Sequence, residues 1–94
     1  MPHAVARIRV ADFDRFIKTF ETRGKAKRTE HGSRSATVFR NAEDPNEVIT
    51  VFDWDREEIE TFLADPEARE IMAEAGVEGL PDFTFVVWHE DLDA

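Results

Sequence analysis

No cysteine occurs among the 94 residues, which excludes disulfide bridges, thiolate metal sites and a cysteine nucleophile together. No apolar run approaches the roughly 18 residues needed to span a bilayer. The opening MPHAVARIRV also lacks a basic lead followed by a long apolar core, so the chain is expected to be soluble and cytoplasmic. Positive charge is scarce: 12 Lys and Arg stand against 21 Asp and Glu, for a formal charge of −9. That balance repels phosphate backbones and argues against nucleic acid as a partner. There is no glycine-rich phosphate loop and no G-x-S-x-G. The three histidines, at 3, 31 and 89, lack the spacing of a metal site, so a bound metal is not expected.

What is abundant is aromatic and β-branched. Eight Phe and two Trp, with 41% hydrophobic residues, suit a folded globule. The length suits one domain over residues 1–94. A domain this small hides only about 60 to 65% of its unfolded surface, so burial gained through oligomerisation matters to it.

The informative stretch is Val38 to Trp54. Two β-branched and aromatic runs flank Asp44-Pro45-Asn46, which supplies a preset φ and a turn residue, and together they predict a hairpin. In the second run Val48, Thr50, Phe52 and Trp54 alternate with Ile49 and Val51, and both sets are largely apolar. Earlier, Ala4, Ala6, Ile8 and Val10 alternate with His3, Val5, Arg7 and Arg9, which predicts a strand with one dry and one mixed face. Asp12 then caps a helix whose stripe is Phe13, Phe16, Ile17 and Phe20 and which ends near Gly24 or runs on to about Arg28. Asp55 with Glu58 forms a capping box before Ile59, Phe62 and Leu63. Asp65-Pro66 starts a further helical segment carrying Ala68, Ile71, Met72 and Ala75 to a stop at Gly76. Gly79-Leu80-Pro81 reads as a turn and Asp82 to Glu90 as the last strand, with Phe83, Phe85 and Val87 on one face and Val86 and Trp88 on the other.

The order β-α-β-β-α-β is the ferredoxin-like arrangement, an α+β fold in which both helical layers cover one face of a four-stranded antiparallel sheet. The uncovered face of strands three and four is too apolar to meet water comfortably. Two sheets packed face to face would cover it, so a homodimer is expected.

Arg40-Asn41, Asp44-Pro45-Asn46-Glu47-Val48, Phe52-Asp53-Trp54-Asp55, Ala75-Gly76-Val77 and Pro81 resemble small antibiotic biosynthesis monooxygenase-like proteins of the dimeric α+β barrel superfamily. The similarity spans nearly the whole chain. It implies a homodimeric barrel with a hydrophobic cavity between sheet and helices or at the shared interface. The superfamily includes cofactor-independent oxygenases of polycyclic phenols, haem-degrading enzymes, aromatic polyketide cyclases and lactone isomerases. The resemblance therefore implies a protein that binds a hydrophobic, aromatic small molecule and oxidises or cyclises it without a cofactor. A haem-degrading member would need an Asn on the first strand and a His on a helix. The first strand offers no Asn, and the second helix no His.

Candidate site residues follow, each with a plainer alternative. His89 and His3 can act as bases toward a phenol, or simply be solvated. Arg7 and Arg9 can hold a carboxylate or phenolate, or pair with acids of a neighbouring strand. Trp54 and Trp88 can wall a flat ligand or pack in the core or interface. Arg40 and Asn41 can contact the ligand, although Asn41 can equally end its strand by bonding local backbone. Lys25, Lys27, Arg28 and Arg34, with His31, form a basic stretch that reads as cations near a helix C-terminus or as a rim for an anionic ligand. The competing function, a non-catalytic ligand-binding or structural dimer, uses the same residues for packing alone.

Overall fold

The computed structural model describes residues 2–94. Four strands, β1 Pro2–Val10, β2 Ser35–Arg40, β3 Glu47–Asp53 and β4 Val77–Val87, form one antiparallel sheet in the order β2-β3-β1-β4. Helices α1 Phe13–Thr19 and α2 Lys25–Glu30, joined by a π-helical turn Phe20–Gly24, follow β1. Helices α3 Arg56–Ala64 and α4 Pro66–Glu74 follow β3. This is the expected ferredoxin-like α+β fold.

The side-chain period of two decides which strand face is dry. Ala4, Ala6, Ile8 and Val10 of β1 and Val48 and Phe52 of β3 are buried. They pack with Phe16, Trp54, Ile59, Phe62, Ala68 and Ala75 in one cluster. Local chemistry starts the helices where the sequence places them. Asp12 accepts from the Asp14 N–H at 3.1 Å, and Asp65 accepts from the Glu67 N–H at 2.9 Å, with Pro66 opening α4. Asp55 and Glu58 close a reciprocal capping box. The hairpin loop is tied to β1, because Asn46 donates to the Val10 carbonyl at 2.9 Å and to that of Ala11 at 3.1 Å.

The last strand corrects the expected turn at Gly79-Leu80-Pro81. β4 begins at Val77, and its register against β1 shifts: Asp82 stands opposite Arg7 and Glu78 opposite Arg9. Gly79, Leu80 and Pro81 therefore share the single space across from Ile8. A bulge absorbs this turn-like sequence without ending the strand; Gly79 supplies φ +74°, and an edge strand tolerates a proline without an N–H. At its other end β4 stops at Val87, so Trp88 and His89 lie beyond the sheet.

One core group is unsatisfied. Thr50 is fully buried and its hydroxyl has no hydrogen-bond partner among the described residues. Thr50→Val keeps the shape and removes the stranded donor, so it is expected to raise unfolding stability by about 1 kcal/mol. Urea denaturation measures this, and a loss of stability would mean that the hydroxyl is bonded in solution.

Candidate functional site

Between the sheet and its helical layer lies an apolar cleft. Its wall includes the rings of Phe16, Phe20, Phe52, Trp54, Phe62 and Phe83, with Ile8, Ile71, Met72, Ala75, Val77 and Pro81 between them. The atom-free space inside it, part of it open to solvent, is about 510 Å³. The enclosed cavity is narrow, about 60 Å³. The rings make a continuous ladder. Trp54 meets Phe52 edge-on at 5.3 Å and Phe62 at 5.0 Å, and Phe52 lies 6.2 Å from Phe83. The Trp54 indole N–H donates to the His31 carbonyl at 2.9 Å, so its polar edge is used by the fold and its ring faces the cleft.

Among the described residues, the single charged group in that wall is Arg28. Two features bring it there. The π turn adds a residue to the helical repeat between α1 and α2, an insertion found often at functional sites. Gly24 then leaves room, since a Cβ there would lie 3.1 Å from Arg28 Nη1 and 3.1 Å from the Thr19 carbonyl oxygen. The guanidinium stacks 3.6 Å from the centre of the Phe20 ring, and its Nη1 donates to the Phe20 carbonyl at 3.1 Å. Burial pushes its pKa down to about 10, still well above neutrality, so it carries its charge there.

The rest of the basic stretch is compensated. Lys27, equally buried, reaches Asp65 at 2.8 Å and Glu30. Arg34 pairs with Asp53 at 3.1 Å. Glu30, His31 and Asp65 bring possible metal-ligand atoms within 4.8 Å of one another. Lys27 Nζ already sits among these carboxylates and supplies the positive charge a cation would bring. Asp65 is held well below the usual carboxylate range, first by Lys27 and then by Nε2 of His31, 2.9 Å away. A depressed folded pKa stabilises the fold in full above the unfolded value of about 3.9, and that contribution fades as pH falls toward the folded value. The melting-temperature gap between wild type and Asp65→Asn is thus expected to be constant from pH 7 down to about 4 and to shrink below it. A gap that widens in acid would contradict this linkage.

The other sequence candidates lie apart from the cleft. Arg7 bonds Glu47 at 3.3 Å, and Arg9 pairs with Asp44; both are served by acids of the neighbouring hairpin. Asn41 donates to Glu47 at 2.9 Å and accepts from the Glu43 N–H at 2.9 Å, ending β2 through local bonds. Arg40 lies over Phe13 at 4.8 Å. His3 sits on the open sheet face, opposite Asp53 and Val86 in register. Trp88 is 64% exposed, and the His89 side chain, 91% exposed, lies 3.2 Å from Glu90. Of the named candidates, Trp54 and Arg28 line the cleft. Arg28 was visible in the sequence only as one cation in a basic stretch, and no local signal marked the π turn that turns it inward.

No helix among the described residues is long and apolar enough to cross a membrane. Comparison with functionally curated proteins brings no match. Among solved structures, the chain is similar to SnoaB, a cofactor-independent oxygenase from Streptomyces nogalater, at 18% identity and a TM-score of 0.73, over 99% of this chain and 97% of that one. It is similar to an uncharacterized NIPSNAP domain protein from Burkholderia xenovorans at 16% identity and a TM-score of 0.71, over 100% of both chains. A third, described as an antibiotic biosynthesis monooxygenase, gives 14% identity and 0.69 over 96% and 100%. At these identities the likeness is one of fold. The family model for antibiotic biosynthesis monooxygenase matches residues 1–74, from β1 to the end of α4, and with the sheet order and the aromatic cleft in place, the chain belongs to that family.

Proposed function

We propose that the protein is a cytoplasmic homodimer that binds a flat aromatic molecule in the cleft of each copy and oxidises it with dioxygen, without metal or flavin. The observation that carries this reading is the cleft wall itself, six aromatic rings with one buried guanidinium. Large ring surfaces recognise a flat apolar body. A cation favours the deprotonated form of a phenolic or enolic substrate. That anion can pass electrons to dioxygen; a ring CH₂ then becomes C=O, one oxygen atom being retained and the other leaving as water with the two hydrogens. The chain's part is to bind the ring system, exclude water and hold the anion. The similarity to a cofactor-independent oxygenase supports the same chemistry.

His3 and His89 enter this reading only where a second copy completes a site over the open sheet face, and the same holds for Arg7, Arg9, Asn41 and Trp88; Arg40 stands on the helical side, over Phe13. A second reading, a non-catalytic ligand-binding dimer, is favoured by one observation: among the described residues, no carboxylate and no imidazole lines the cleft. Oxygen uptake on incubation with dihydroxynaphthalenes separates the two. The oxidative reading expects uptake that His89→Ala leaves unchanged. Binding without uptake supports the binder, and loss of uptake in His89→Ala moves the chemistry out of the cleft.

A further inference from the structure

We propose that Arg28 is the anion-recognition residue of the cleft, so that the ligand is a flat aromatic carrying a negatively charged oxygen group, a carboxylate, phenolate or enolate, held against the guanidinium. The inference rests on the reading that the cleft takes a flat ligand, and it goes further by naming the residue that selects an anionic head group over a neutral one.

Arg28 is only 8% exposed, and no ion pair joins it to a carboxylate among the described residues. A buried guanidinium without a counter-ion is costly. Two neighbours make the contrast. Lys27, one residue earlier and equally buried, has Asp65 and Glu30 on it, and Arg34 has Asp53. Among the described residues, the only hydrogen bond the Arg28 side chain makes is from Nη1 to the Phe20 carbonyl. A guanidinium carries five N–H donors in a planar fork, so donors remain for a ligand oxygen.

Its surroundings give that ligand a direction. Stacking on Phe20 at 3.6 Å covers one face of the guanidinium. A second, more polar recess, lined by Lys25, Thr29, Ser33, Arg34, Ser35 and Ala36, shares Phe20 and Arg28 with the aromatic cleft. Arg28 thus stands where an apolar chamber meets a basic one. A ligand whose ring lies among Phe52, Trp54 and Phe83 can direct a charged head group to this boundary. The π turn and Gly24 hold the side chain in place.

The test compares 2-naphthoate with 2-naphthamide, nearly equal in shape and different in charge, by titration calorimetry on the full chain. The carboxylate is expected to bind wild type about tenfold tighter or more, the scale of a charge-assisted hydrogen bond. Arg28→Met should bind the two alike, and Arg28→Lys should retain part of the preference. Without ligand, Arg28→Met should melt no lower than wild type, since it removes an unpaired buried charge at similar volume. Equal affinity of wild type for the two probes overturns the proposal and leaves the aromatic cleft standing. A preference that survives in Arg28→Met also overturns it, and assigns the anion contact elsewhere. If neither probe binds, the cleft reading falls and takes the proposal with it. A large drop in melting temperature for Arg28→Met would identify the side chain as a structural pillar instead.

Discussion

Trp54→Ala is expected to cost about 3–5 kcal/mol of unfolding free energy, the scale of deleting a large buried aromatic. Trp54 is 1% exposed and wedged between Phe52 and Phe62, so its removal opens a void between the sheet and α3. It also leaves the His31 carbonyl, at the end of α2, without its indole donor. Small domains are stable by only about 5–15 kcal/mol, and each kcal/mol moves the melting temperature of a domain this size by roughly 4–8 °C. The variant should therefore melt at least about 12 °C below wild type, as followed by circular dichroism at one fixed protein concentration. Trp54→Phe, which keeps the ring but loses the donor, should fall between the two. A loss under about 1 kcal/mol for the alanine variant would show that the ring ladder does not hold the layers together.

Val51→Glu is expected to convert the proposed dimer into monomer. The uncovered sheet face presents Val5 of β1, Ile49 and Val51 of β3 and Thr37 and Phe39 of β2 in register. Phe39 is exposed, as is Val86 of β4 on the same face. Contiguous apolar surface of this kind is uncommon on a soluble monomer. In a two-fold pairing each residue of that face is buried twice, so one substitution introduces two buried charges. At roughly 2–3 kcal/mol per unpaired charge, the dissociation constant should rise about a thousandfold or more. Sedimentation should place wild type near twice the 10.8 kDa chain mass at micromolar concentration and Val51→Glu near that mass itself. A wild-type chain that sediments as a single copy would remove the dimer, along with any role for His3, Arg7 or Arg9 in a site shared between copies.

What was legible in the sequence is what obeys short-range rules. Strand alternation separates Ala4, Ala6, Ile8 and Val10 from His3, Val5, Arg7 and Arg9 because successive side chains must point to opposite faces. Asp12, Asp55 and Asp65 announce helix starts because each cap is satisfied within three residues. The same locality misled at Gly79-Leu80-Pro81, where a turn-like triplet is carried as a bulge by pairing with β1, a strand some seventy residues earlier. For Arg7 and Arg9, the sequence left open whether they serve a ligand or neighbouring acids. The register of β1 against β3 and the hairpin loop supplies Glu47 and Asp44.

Composition, periodicity and caps thus determined the ferredoxin-like order of elements and the apolar excess on both faces of β3, because these depend on residues close together along the chain. Tertiary structure alone decided that Trp54 and not Trp88 walls the cleft, and that Lys27 has carboxylate partners while Arg28, its neighbour, has none among the described residues. The reason is that burial and charge compensation are set by elements far apart in sequence: α2 meets Asp65 of the α3–α4 junction on one side and the β3 rings on the other. A π turn rotates the helix by one residue between those two environments.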